Sequence, residues 1–408
     1  DSSNPVPLDI EEVWKTQEHV FKNNAVILFG SKNDPDVKST QPIPGAIVFD
    51  DGTKEQTTFY RNQQGERTAW SEQELSESTG GFFVPASFRQ GADIMPRNLL
   101  FYEVASTTNN DFYSVKSIDP TTSPLAFTVK DAKKYQSFRL SERVLPKSLF
   151  FDIITSNLLT PFHVATVQKA LLPIRKNDDR QWEMVPQNEI NAKGTVTQNS
   201  FREICRELDA NSRDVSTVFN LIDVRGKLTQ QYVSDEGYIV MTGAGGGKVC
   251  STYIDLSEYE ADRLILDQTV YWAEVDTEDE AIYLSGLLNS NAINLIIEDF
   301  QPRGAFGKRH VHKLPFGVTP PFDPEQAAHQ DVVLKTRALI QEYQALQTTD
   351  DDLENLLNPN TGSLSSRRRK LNLKIQELDS YADYEKACES LYGCLLYTSD
   401  AADDLLCV

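Results

Sequence analysis

One stretch of this chain gathers cations and excludes acids. Gln301-Pro302-Arg303-Gly304-Ala305-Phe306-Gly307-Lys308-Arg309-His310-Val311-His312-Lys313-Leu314-Pro315-Phe316 contains no Asp or Glu, while the full 408 residues carry a formal net charge of −20. An acid-free basic segment in so acidic a chain concentrates positive potential where an anion would sit. A phosphate backbone is the nearest such anion. The competing account is a solvated loop whose charges bind nothing. His310 and His312 have strand spacing, so both rings would share a face. Neither they nor His163 has a Cys or carboxylate nearby in sequence to complete a tetrahedral metal set. Phosphate or base-edge contact fits the pair better than metal, and plain exposure fits about as well.

Gly243-Ala244-Gly245-Gly246-Gly247-Lys248 invites a phosphate-loop reading, which fails. Thr242 stands where the first Gly is needed, and Val249 where Ser or Thr is needed. The dinucleotide fingerprint fails too, because a strand rather than a helix is expected to follow. A hairpin tip with Lys248 on a phosphate fits the residues better. In Phe88-Arg89-Gln90-Gly91-Ala92-Asp93-Ile94-Met95-Pro96-Arg97, Gln can bind adenine in two places and Arg can do so with guanine. The alternative is a buried turn in which Arg97 pairs with an acid such as Glu103. Arg367-Arg368-Arg369-Lys370 covers all faces of a helix, so some of these charges must be solvated; phosphate contact is open to the rest. No Ser-His-Asp or Cys-His arrangement and no readable pair of acids stands out, so no catalytic residue is assigned.

These residues must be positioned by an α+β fold. Ala25–Gly30 reads as a buried strand, Ala46–Gly52 as a strand entering a turn, and residues 84–104 as a strand-rich block. Leu145–Ile174, interrupted by Pro161 and Pro173, reads as short helices broken by loops. Tyr238–Thr242 and Val249–Leu256 read as a hairpin with the Gly-rich run at its tip. Thr277-Glu278-Asp279-Glu280 is a capping box, and the helix it starts should end near Asn289-Ser290-Asn291. Helical periods return over residues 292–297, 325–346 and 371–392, with loops at Asp350-Asp351-Asp352 and Asn358-Pro359-Asn360. The composition, 39% hydrophobic and 25% charged, suits a soluble globular protein. No run of eighteen apolar residues suggests a membrane span. Cys205, Cys250 and Cys388 read as core residues, and the sparse cysteines point to a reducing, cytoplasmic setting.

Several of these stretches together resemble one family. Phe88-Arg89-Gln90-Gly91-Ala92 with Pro96-Arg97 is similar to a segment downstream of the catalytic core in adenine-N6 DNA methyltransferases. The relatives are large fused types, such as type IIG restriction-modification enzymes and phage-defence methylases. Ala281-Ile282-Tyr283-Leu284-Ser285-Gly286-Leu287-Leu288-Asn289-Ser290, the Arg303–Pro315 loop and Leu391-Tyr392-Gly393 resemble further motifs, in the same order. The family's (Asp/Asn)-Pro-Pro-(Tyr/Phe) motif is missing, since Asn4-Pro5-Val6-Pro7 and Asn358-Pro359-Asn360-Thr361 do not fit it. The Gly-rich S-adenosylmethionine loop is missing too.

The resemblance therefore implies a target-recognition region whose methylase domain lies upstream, outside this chain. S-adenosylmethionine would serve the full-length protein, with no cofactor bound here. Double-stranded DNA and the missing methylase domain would be its partners. Lys248, Lys308, Arg309 and Lys313 would set register on phosphates. Arg89, Gln90, Arg97, Arg303 and His310 would lie at bases or backbone near the flipped adenine, with His312 beside them. The expected division is residues 1–80 as the end of the methylase fold, 81–322 as recognition domain, 323–393 as helical tail, and 394–408 as a run resembling translated sequencing adapter. The reading of another class is a protein-interaction scaffold, in which residues 325–346 and 371–392 pack on a partner helix.

Overall fold

A computed structural model of the chain describes residues 8–16, 26–32, 42–64, 67–71, 88–109, 111–118, 134–135, 137–243, 248–298, 303–304, 307–308 and 319–397. The fold is α+β, with mixed sheets and a helical C-terminal part.

The first sheet has five strands, in the order Val26–Lys32, Leu8–Thr16, Ile43–Val48, Lys54–Gln64 and Arg67–Ser71. Its small core is Val13, Ile43 and Phe59. Val26–Lys32 is not the buried strand its apolar run suggested. It is the edge strand of the sheet, and Val26, Leu28 and Phe29 are exposed. A short apolar run reports β preference and cannot say whether a second layer covers it.

The second sheet has six strands, in the order Leu264–Leu266, Phe150–Ile154, Gln168–Leu171, Phe101–Asn109, Phe112–Ser117 and Arg143–Pro146. The helices Thr195–Leu208 and Ser216–Ile222 share its core. The short helices expected within residues 145–174 are instead strands punctuated by single 3-10 turns at Lys147–Leu149 and Ser156–Leu158. Phe150-Phe151-Asp152-Ile153-Ile154 pairs on both sides, antiparallel with Gln168–Leu171 and parallel with Leu264–Leu266. Its aromatic and β-branched residues suit that buried position.

The third sheet carries the candidate site. Its order is Ser251–Asp255, Tyr238–Gly243, Val270–Val275 and Arg89–Gln90, all antiparallel. Glu278–Asn289 starts where the capping box placed it, with the Thr277 hydroxyl accepting from the Glu280 N–H at 3.3 Å. Three acids fill its first turn, at the positive end of the helix dipole. Arg337 of the helix Ala327–Gln347 bonds Glu278 at 2.6 Å and Asp279 at 2.5 Å, tying the two helices together.

The C-terminal helices share one core with this sheet: Val240, Ala273, Leu284, Leu339, Tyr343, Leu371, Ile375 and Tyr384 belong to a single buried cluster. The faces that a scaffold would offer to a partner helix are thus largely used within the chain. The period over residues 371–392 splits into two helices, Leu364–Gln376 and Tyr381–Tyr397. Glu342 from the neighbouring helix accepts from the Asp379 and Ser380 N–H groups at 2.9 and 3.0 Å and so fixes the break. Asp350 begins a short helix rather than a loop, accepting from the Leu353 N–H at 3.0 Å as N-cap of Asp351–Leu357. Cys205, Cys250 and Cys388 are free thiols buried in the core. Among the described residues, no helix is long and apolar enough to cross a membrane.

Candidate nucleic-acid interface

The Phe88–Arg97 stretch is threaded into the fold. Arg89 and Gln90 form an edge strand against Trp272 and Tyr271. The Arg89 guanidinium lies over the Trp272 ring at 4.0 Å and donates to the Tyr232 carbonyl at 2.8 Å. Gln90 donates to the Gln268 carbonyl at 2.7 Å and accepts from Lys227 Nζ at 2.9 Å. Gly91 is required by close approach: a Cβ there would lie 2.2 Å from the Leu266 carbonyl oxygen. Arg97 is 3% exposed and bonds Asp267, itself fully buried, at 2.8 Å.

Arg97 is therefore a buried ion-pair partner within the fold. The buried turn was the correct half of the alternative, with Asp267 as the acid. Glu103 pairs with Lys116 at the surface instead. Arg89 and Gln90 are partly exposed, and each makes at least one hydrogen bond within the protein.

The Arg367–Lys370 run divides by depth. Arg367 and Arg368 are buried, whereas Arg369 and Lys370 are exposed. Arg367 donates to the Asn157 carbonyl at 2.9 Å, and Arg368 to the Ser156 and Leu159 carbonyls at 2.8 and 3.0 Å. The Arg368 guanidinium rests on Gly243, where a Cβ would lie 2.8 Å from it. These two arginines tie the helix Leu364–Gln376 to residues 156–159, and Arg368 also packs on Gly243 at the base of the Gly-rich hairpin.

That hairpin is held from its other side by the end of the Glu278–Asn289 helix. The Asn289 amide accepts from the Ser251 N–H and donates to the Ser251 carbonyl, both at 2.8 Å. Asn294 accepts from the Val249 N–H at 2.8 Å. Lys248 is exposed and donates to Asn291 Oδ1 at 2.6 Å, at the first residue of the helix Asn291–Glu298. The Asn291 N–H in turn donates to the Glu385 carboxylate, whose pKa burial pushes up. Replacing Asn289 with Ala should cost about 1–3 kcal/mol, because the buried Ser251 N–H loses its acceptor. Chemical denaturation of N289A against the parent chain measures it.

The other end of Asn291–Glu298 leads toward the basic stretch. Arg303–Gly304 and Gly307–Lys308 pair as a two-stranded antiparallel hairpin, with Arg303 opposite Lys308 and Gly304 opposite Gly307. Like charges opposite one another in an antiparallel pair are destabilising, unless an anion lies between them. Arg309, His310, His312 and Lys313 lie outside the described residues, as do residues 244–247 between the paired strands Tyr238–Gly243 and Ser251–Asp255. The helix Asn291–Glu298 is about 12 Å long, and in sequence residues 299–302 lie between its end and Arg303. The structural role of Asn289 was legible in the sequence only as a helix end. Its bond to Ser251 joins residues 38 apart.

No family model matches the chain, and no curated protein does. Solved structures resemble it, two of them over 95% of its length. One is a type IIL restriction-modification enzyme, MmeI, in complex with DNA, with a TM-score of 0.48 and 13% identity. The other is the type IIG restriction endonuclease BpuSI, with a TM-score of 0.33 and 12% identity. The chain spans 43% of the length of each.

Proposed function

We propose that this chain is the DNA-contacting, target-recognition part of an S-adenosylmethionine-dependent adenine-N6 DNA methyltransferase of a restriction-modification or phage-defence system. One observation carries the DNA contact. A chain of net charge −20 sets Arg303 and Lys308 directly across from each other in a hairpin. A phosphate between them converts cross-strand repulsion into two charge-assisted bonds. Lys248 is a weaker candidate, because Asn291 holds it and the Glu385 carboxylate is near enough to feel its charge. The methyltransferase assignment rests on the order of motifs from Phe88 to Gly393. Methyl transfer, cofactor binding and adenine specificity belong to a domain that would carry the Asn/Asp-Pro-Pro-Tyr/Phe motif.

The test is duplex binding by the full chain across a range of salt concentrations. If both residues touch phosphates, Arg303→Glu with Lys308→Glu should reduce the slope of log K against log salt by about 2. An unchanged slope removes the hairpin from the interface.

A further inference from the structure

A cavity of about 470 Å³ lies where the Phe88–Arg97 stretch meets the helix Ser216–Ile222. That volume is in the range of small-ligand sites, roughly 300–1,000 Å³. Met95, Pro96 and Leu221 give it apolar walls, and Tyr135 adds an aromatic ring. Asp93 lines it as well. Among the described residues no donor bonds the Asp93 carboxylate, although burial raises its pKa and Lys227 and Arg225 act on it electrostatically. Lys227 directs one of its N–H groups to Gln90. A half-buried carboxylate keeps part of its desolvation cost, and donors from a ligand in the cavity would offset it.

The surroundings restrict that ligand. Lys134, Arg225 and Lys227 would repel a cationic donor and attract an anionic group elsewhere on the same molecule. The two carboxylate oxygens are best met by two adjacent neutral N–H donors. Guanine offers such a pair, a ring N–H beside an exocyclic amino group, whereas adenine sets its amino group beside an acceptor. A planar base suits walls of Met95, Pro96 and Tyr135. We propose that this cavity binds a guanine nucleotide, with the guanine edge on Asp93 and the phosphate on the side of Lys134 and Arg225.

The nucleotide can be free or part of a single strand, and calorimetric titration of the full chain distinguishes the two. Guanosine monophosphate should bind about tenfold tighter than inosine monophosphate, which lacks the exocyclic amino group, and tighter still than adenosine monophosphate. Asp93→Asn should weaken guanosine monophosphate binding at least about tenfold without lowering the melting temperature, since it removes a desolvated charge. Leu221→Trp, which fills the cavity and spares the carboxylate, should abolish binding. A dG-containing single strand that binds tighter than the mononucleotide, and is displaced by it, identifies the strand as the source; a strand that does not compete identifies the free nucleotide. Failure of guanosine monophosphate to bind at millimolar concentration overturns the proposal. So does equal binding of the adenine nucleotide, or undiminished affinity in Asp93→Asn. Charge reversal at Arg303 and Lys308 should leave this binding unchanged, so the two proposals fail independently.

Discussion

Arg97→Ala should destabilise the fold by about 3–5 kcal/mol, because it leaves a buried carboxylate without its counter-ion. Asp267 is fully buried, and Arg97 meets it at 2.8 Å from the start of a short helix. The pair joins the Phe88–Arg97 stretch to the turn that leads into Val270–Val275. Asp267 also accepts from the Thr269 N–H at 3.0 Å and organises that turn. Arg97→Lys should recover only part of the loss, since an ammonium cannot reproduce the planar geometry of the guanidinium. Urea titration reads this directly: the midpoint should fall with an unchanged slope. A stability loss below about 1 kcal/mol would mean that the pair contributes little beyond its own desolvation.

Arg368→Ala carries the second large effect. Its guanidinium satisfies the Ser156 and Leu159 carbonyls and fills the space above Gly243. Truncation strips two largely buried carbonyls of a charged donor and opens a void, for an expected loss of about 2–5 kcal/mol. Arg369→Ala next to it should change stability hardly at all, because Arg369 is exposed. The contrast separates a structural arginine from a solvated one within a single basic run. It also bears on DNA binding. If Arg368→Ala loosens the Gly-rich hairpin, amide exchange at Ser251 should quicken before global unfolding does.

Local signals read well where one short segment contains the whole cause. The Thr277 cap, the hairpin of Tyr238–Gly243 with Ser251–Asp255 and the helix Ala327–Gln347 are of this kind. The strands within residues 150–171 were missed because their short apolar runs fit either period, and only pairing with Phe101–Asn109 and Leu264–Leu266 decides between them. The exposed edge at Val26–Lys32 was missed for the matching reason: burial depends on what covers a strand.

Among the candidate contacts, residue type alone ranked Arg89, Gln90, Arg97 and Lys248 together. The structure separates them by depth and by partner, through contacts from residues 43 to 178 positions away. What the sequence determined by itself is the excess of acid, the acid-free basic stretch, the ordered motifs and the capped helices, all set by composition or by neighbours within a few residues. Which of the described cations already bond a distant carboxylate or carbonyl was decided only by the tertiary structure, because those partners lie far away in sequence.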